Sequence, residues 1–395
     1  MIDRVAKTLL KTIVRPPSSQ ESQSTMTSPD IPLSTLENLP SPALLVLLER
    51  LERNIDKMIE IARGPERLRP HAKTHKMPDL IRLLESKGIS KHKCATMSEA
   101  EMIARAGGRD VLIAYPIVGP NLARLGRLIR EFPETTFRAV VDDEQVAREL
   151  AKIAAESERR LPTLVDLDVG QGRTGIAPGN KAFELCLLIE SLPGLIFDGL
   201  HGYDGHLREV DPVARRRTAR AGMSGLFALR DRLVRSGRDV PRVVLGGTPT
   251  FPAHAQWDEP NVECSPGTCV FHDAGYASRF PDLPFEAAAL LLTRVISRPR
   301  TGRVCLDLGH KAVAADPIGP RLTLLEVAGA TLGPQSEEHL IVDIASSDRY
   351  PPGTPLLAVP THVCPTCALH QVAYVLDSAG AHVATWPVSA RDRLG

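Results

Sequence analysis

The sequence predicts an α/β protein: a TIM-type (βα)8 barrel followed by a C-terminal, mainly β domain. Three observations carry this. From Leu68 to Gly267, short apolar strands alternate with longer helical patterns, the signature of parallel βα units. Eight such strands separated by seven helical segments fit a closed barrel better than an open sheet. After Pro284 the helical spacing fades, and strands follow one another through turns of Gly, Pro, Asp and Ser.

Residues 1–39 stand apart as an extension expected to be partly disordered. Val5, Leu9, Leu10 and Ile13 line one face of a short basic helix, and 16–29 is rich in Ser, Thr and Gln. That reads as a transit-like segment or as an overextended start ahead of Met26. The barrel is expected over 40–283. Residues 43–47 are strand-like and could pair with the β domain rather than the barrel; a helix follows at 49–62. Barrel strands are expected at 68–73, 92–96, 111–115, 137–141, 163–168, 197–201, 242–245 and 262–264. Among the helices, 78–87 follows the first strand, and 98–106 and 215–236 carry apolar residues at three and four spacing. The β domain, 284–395, has strands at 290–297, 303–308, 339–344, 356–359, 372–376 and 382–386.

A chain of 395 residues suggests about two domains, or a barrel with an addition. Forty-eight basic and 47 acidic side chains leave a net charge of +1, so no global field favours nucleic acid or an anionic membrane. No stretch reaches the ~20 apolar residues of a membrane span. A small-molecule partner is the expectation. Seven scattered cysteines without a secretory signal read as reduced thiols of a cytoplasmic protein.

The run Arg69 to Lys76 (RPHAKTHK) places Lys73 at the carboxyl end of the first strand, the end at which barrels carry their active sites. Neighbouring cations disfavour an ammonium and leave a neutral amine that attacks an aldehyde. The bland reading is a solvated basic turn. Polar clusters follow the later strands as well: Asp168 to Gly175 (DVGQGRTG), His201 to His206 (HGYDGH), Gly246 to Thr250 (GGTPT) and Ser265 to Thr268 (SPGT). The last two are small glycine-bearing loops in the positions where barrels commonly hold a phosphate. A phosphate site beside an aldehyde-binding lysine matches pyridoxal phosphate.

These runs, with Pro360 to Thr366 (PTHVCPT), together resemble the D-threonine aldolase and D-serine dehydratase group of alanine-racemase-like (fold type III) pyridoxal phosphate enzymes. The resemblance spans roughly Pro40 to the C-terminus, in order. It implies a homodimer acting on a small D-amino acid, with Lys73 as the Schiff-base lysine, Arg173 facing the ring oxygen and Tyr203 the pyridine nitrogen. It gives the phosphate to Gly247, Thr248, Gly267 and Thr268. An arginine fork suits a phenolate and a tyrosine hydroxyl can bond a ring nitrogen, although alone each would read as a surface ion pair or a core aromatic.

His362 and Cys364 resemble the group's divalent-metal ligands. On a strand, residues two apart point the same way, so imidazole and thiolate can grip one ion. The other readings of Cys364 and Cys367 are a redox pair and structural cysteines. Thiolate favours zinc, with manganese or magnesium as the harder alternatives. The cysteine resembles D-serine dehydratase, whereas His206 resembles the aldolases' base for the β-hydroxyl proton or, blandly, a surface histidine. The expected activity is D-threonine aldolase-like: a β-hydroxy-D-amino acid is cleaved to glycine and an aldehyde. The alternative is dehydration of D-serine to pyruvate and ammonia. A racemase, which needs a second tyrosine acid/base, and a non-catalytic cofactor-binding protein rank behind.

Overall fold

A computed structural model describes residues 26–259 and 261–393. The stretch around Val5, Leu9, Leu10 and Ile13 lies outside the described residues. The first strand, β1 (Ala43–Leu47), is buried throughout and lies between two later strands, pairing antiparallel with one and parallel with the other. Helix Leu48–Ala62 returns from it to the barrel, with Leu51, Ile55, Met58 and Ala62 buried on one face.

Seven parallel strands then pair in chain order: β2 (Lys91–Cys94), β3 (Asp110–Ile113), β4 (Thr136–Val141), β5 (Leu161–Leu167), β6 (Leu195–Gly202), β7 (Val243–Leu245) and β8 (Val262–Cys264). Each is followed by one or more helices or a short helical turn, and β4 to β8 keep mostly apolar side chains buried. The expected first strand, 68–73, is not a ladder strand. Residues 68–71 form a short stave between β8 and β2. Arg69 and His71 donate their N–H groups to the carbonyls of Cys264 and Pro266 (2.8 and 2.9 Å), and Lys93 N–H bonds the Pro70 carbonyl (2.9 Å). Pro70 has no N–H to donate, which keeps the stave short. Beyond it the chain turns into the 3₁₀ turn Ala72–Thr74, so Lys73 sits just past the strand end rather than on it.

The expected helix at 215–236 is two helices, Pro212–Gly222 and Ser224–Arg235, which meet at Met223. A glycine there weakens the helix interior.

After the barrel come β9 (Ala289–Arg300), β10 (Arg303–Leu306), β11 (Leu322–Leu324), β12 (Thr331–Gln335), β13 (Leu340–Asp343), β14 (Pro355–Pro360), β15 (Val372–Leu376) and β16 (His382–Pro387). With β1 between β9 and β15, they make a nine-stranded sheet. Strands β11 and β12 and the helix Val363–Leu369 were not anticipated. All seven cysteines are unpaired. Among the described residues no helix is long and apolar enough to cross a membrane.

Candidate active site

The 3₁₀ turn that carries Lys73 is fixed by His71, whose Nδ1 accepts the Lys73 amide N–H at 3.3 Å. Burial and the charges of Lys73 and Lys93 hold His71 well below the ordinary histidine range, so the ring is neutral. With Nδ1 accepting, its proton is on Nε2. Tyr203 follows β6, and three cations surround its ring: Lys73 Nζ at 5.6 Å, Lys93 Nζ at 5.9 Å and Arg173 Cζ at 5.1 Å from the centroid. All four side chains line one cavity with His71, Asp166 and His201. Among the described residues no ion pair holds Lys73 or Arg173. Unpaired positive charge facing a cavity suits an anionic ligand.

The loops after β7 and β8 meet beside this cavity. Thr248 Oγ1 accepts the amide N–H groups of Gly267 (3.3 Å) and Thr268 (3.1 Å), so two amides converge on one oxygen, the donor arrangement a phosphate oxygen uses. A Cβ on Gly267 would lie 2.9 Å from Thr74 Oγ1 and 3.2 Å from His71 Cβ, and one on Gly247 would lie 3.0 Å from Tyr203 Cε2. Only glycine lets the loops come this close. Asp204, next to Tyr203, supports the first loop: its carboxylate accepts from Thr250 Oγ1 (2.7 Å) and meets His254 Nε2 at 2.8 Å. The residues present therefore fit a phosphate-bearing cofactor with an aldehyde at the lysine end.

His362 and Cys364 do come together, though not on a strand. β14 ends at Pro360; His362 is the extended residue preceding helix Val363–Leu369, and Cys364 lies in its first turn. Burial works against the Cys364 thiolate, but the hydrogen bond and charge of His362, then Lys73 and Thr74, outweigh it and hold the thiol below its usual value. Burial likewise opposes the His362 cation, yet Cys364 and Asp316 push that histidine up to about 9. A proton shared by such a pair is what a divalent ion displaces, so the donor set fits a metal. Asp316 Oδ2 lies 2.5 Å from His362 Nδ1, leaving Nε2 for a ligand. Among the described residues no third His, Cys, Asp or Glu completes a ligand cluster. Cys364 Sγ is 3.3 Å from Thr74 Oγ1 and 3.6 Å from Thr268 Oγ1, which puts the pair against both the lysine turn and the second glycine loop. Asp273 locks this junction: its two carboxylate oxygens accept the N–H groups of Tyr276 (2.9 Å) and Val363 (3.1 Å).

His206 is placed differently. Its Nε2 lies 3.3 Å from the point where a Cβ on Gly170 would stand, its Nδ1 is buried without a partner among the described residues, and it lines neither cavity of the site. Lys93, His201, Asp166 and Asp316 are the residues that sequence reasoning missed. Lys91 and Lys93 alternate on β2, a period-two signal, but the strand has no apolar face to show which side is inside.

A barrel that gathers a lysine, an arginine and a tyrosine around one cavity, beside converging loop amides, defines an enzyme built for a phosphate-bearing aldehyde cofactor. Comparison with known proteins makes this specific. The alanine racemase N-terminal domain family matches residues 46–274, and the putative serine dehydratase domain matches 288–376. The chain is 31% identical to a D-threonine aldolase of Arthrobacter sp, over 92% of this chain and 96% of that one. It is 30% identical to a 3-hydroxy-D-aspartate aldolase of Paracoccus denitrificans, over 92% and 95%. The crystal structure of D-threonine aldolase from Filomicrobium marinum superposes with a TM-score of 0.84 at 31% identity, over 90% of this chain and 97% of that one. D-threo-3-hydroxyaspartate dehydratase from Delftia sp. HT23 does so at 0.77 and 26%, over 89% and 98%. The chain belongs to the D-threonine aldolase and D-serine dehydratase group of the alanine-racemase-like family, and is a pyridoxal phosphate-dependent lyase.

Proposed function

We propose that this lyase cleaves β-hydroxy-D-amino acids of the D-threonine type to glycine and an aldehyde, as a cytoplasmic homodimer using pyridoxal 5'-phosphate and a divalent ion, zinc by preference. The observation that carries this is the meeting of two sites in one cavity: Lys73 and the His362–Cys364 pair line it together, with Cys364 Sγ 3.3 Å from the hydroxyl of Thr74. The similarity to two aldolases over nearly the whole chain supports the same reading.

In this proposal Lys73 Nζ holds the cofactor's aldehyde carbon, Arg173 faces its ring oxygen, and Tyr203 bonds its ring nitrogen. Gly247, Thr248, Gly267 and Thr268 hold the phosphate. His362 Nε2 and Cys364 Sγ hold the ion, and the soft thiolate favours zinc. When bound, the cofactor supplies an electron sink for the substrate's α-carbon and the ion a Lewis acid. In aldol cleavage solvent water would take the β-hydroxyl proton as the Cα–Cβ bond breaks and the aldehyde leaves, and Lys73 Nζ would return one proton to the α-carbon to give glycine. In dehydration Lys73 Nζ would take the α-proton instead, and the β-hydroxyl would take up a proton and leave as water. Hydrolysis of the resulting enamine would release the 2-oxo acid and ammonia.

Dehydration is the second reading, and two observations favour it. Cys364 supplies a thiolate, and a cysteine-to-alanine variant of a D-threo-3-hydroxyaspartate dehydratase is described in a metal-free form. His206, the residue resembling an aldolase base, does not line the cavity. The deciding experiment incubates cofactor-loaded protein with zinc or manganese and either D-threonine or D-serine, then measures glycine, acetaldehyde, 2-oxo acid and ammonia. Glycine with acetaldehyde is the expected result; a 2-oxo acid with ammonia, and no aldehyde, replaces it with the dehydratase reading.

A further inference from the structure

Beneath the cavity lies a buried polar chain to which the proposed chemistry gives no part. Lys93 is 2% exposed, on the inner face of β2. Its Nζ is 2.5 Å from Ser265 Oγ on the loop after β8 and 3.4 Å from His201 Nε2 on β6. His201 Nδ1 meets Asp166 Oδ1 at 2.6 Å, and the other oxygen of that carboxylate accepts Thr174 Oγ1–H at 3.0 Å. Thr174 adjoins Arg173, so one hydrogen-bonded line runs from the amine in the barrel floor to the loop that carries the arginine.

A buried amine without a carboxylate in contact costs stability unless something else uses its charge. Burial, with Lys73 and Arg69, pushes Lys93 down to about 7, while Asp166 and Asp204 work against this. Lys93 nevertheless lines the cavity beside Lys73, Arg173 and Tyr203. We propose that Lys93 is a cofactor-positioning residue: Ser265 and His201 hold its amine as a polar floor for the anionic aromatic ring, and Asp166 fixes that floor and the Arg173 loop in one arrangement. The inference rests on the cofactor reading of the cavity.

The test compares wild type, Lys93→Met, Lys93→Arg and His201→Gln by pyridoxal phosphate titration, the absorbance band of the bound cofactor, and thermal unfolding without cofactor. Lys93→Met is expected to bind about tenfold more weakly, because a positive charge facing the anionic ring is lost, with a shifted band for the same reason. Its cofactor-free melting temperature should hold or rise, since methionine buries well where an amine does not. Lys93→Arg should recover part of the affinity. An unchanged affinity and band in Lys93→Met overturns the proposal whatever the melting temperature. If that variant does not fold, His201→Gln decides: a shifted band supports the proposal and an unshifted one overturns it. Failure of the wild type itself to bind pyridoxal phosphate would instead overturn the cofactor reading.

Discussion

His362 has one ring nitrogen committed to Asp316, and a histidine held in this way offers its other nitrogen to a metal in a fixed orientation. Replacing Asp316 with Asn exchanges a carboxylate for a weaker acceptor that can also turn its amide towards the ring. Zinc affinity is expected to fall by about tenfold, the lower end for such supporting carboxylates. The melting temperature of the metal-free protein should stay put, because the Asp316 side chain is 53% exposed. Chelator competition on purified protein measures the first quantity; an unchanged zinc affinity would leave Asp316 as an ordinary surface partner. At this scale sequence reveals residue types and their order but not their directions. Lys73, Arg173, Tyr203 and the two glycine loops are legible because each follows a strand whose end faces the same mouth. His206 has the right type and spacing, yet its imidazole packs towards Gly170. Lys93 was hidden in a four-residue polar strand, where alternation exists but inside and outside cannot be told apart.

Asp273 joins two elements that belong to different parts of the chain, capping helix Ala274–Arg279 through the Tyr276 amide and meeting the first amide of helix Val363–Leu369. Each lost cap costs about 1 kcal/mol. Asp273→Ala should therefore destabilise the protein by about 2 kcal/mol, read by urea unfolding, whereas Asp273→Asn keeps one acceptor oxygen and should lose about half as much. Equal losses for the two variants would mean that the charge, not the caps, matters. Nothing local marked the second helix: it opens on the Cys364-Pro-Thr-Cys367 run, which reads equally as a turn. Strands β11 and β12 were missed for related reasons, one having three residues and the other carrying Gly333 and Pro334 inside it. The remaining barrel strands were legible to within about two residues, most of them because parallel strands buried on both faces read as apolar runs, polar β2 being the exception.

The barrel as a whole has a weak seam at the 68–71 stave, where Pro70 interrupts the ladder, and side-chain charge bridges it. Towards the amino-terminal ends of the strands, six residues alternate in sign around a closed ring. Arg69 pairs with Asp110 (2.7 Å), Asp110 with Arg138 (2.9 Å) and Arg138 with Asp198 (2.5 Å). Asp198 pairs with Arg242 (2.9 Å), Arg242 with Glu263 (3.2 Å), and Glu263 back to Arg69 (2.6 Å). Arg69 is fully buried and reaches across the seam, from Glu263 on β8 to Asp110 on β3. Removing one member leaves its neighbours as uncompensated buried charges, so Asp110→Asn should cost about 3 kcal/mol at pH 7. Burial opposes the Asp110 carboxylate, but the charge of Arg69 and the hydrogen bonds from Arg138 and Arg69 outweigh it and hold its pKa well below the ordinary range. A depressed carboxylate stabilises the fold fully above its unfolded pKa, about 4. That contribution drains away as pH falls through the folded value. Asp198, which burial raises despite Arg138 and Arg242, contributes with the opposite sign. The Asp110 share is therefore the difference between wild type and Asp110→Asn, followed by urea unfolding from pH 7 to pH 3. That gap should narrow on the acid side of pH 4. A constant gap would place the closure of the seam in packing rather than in the ring.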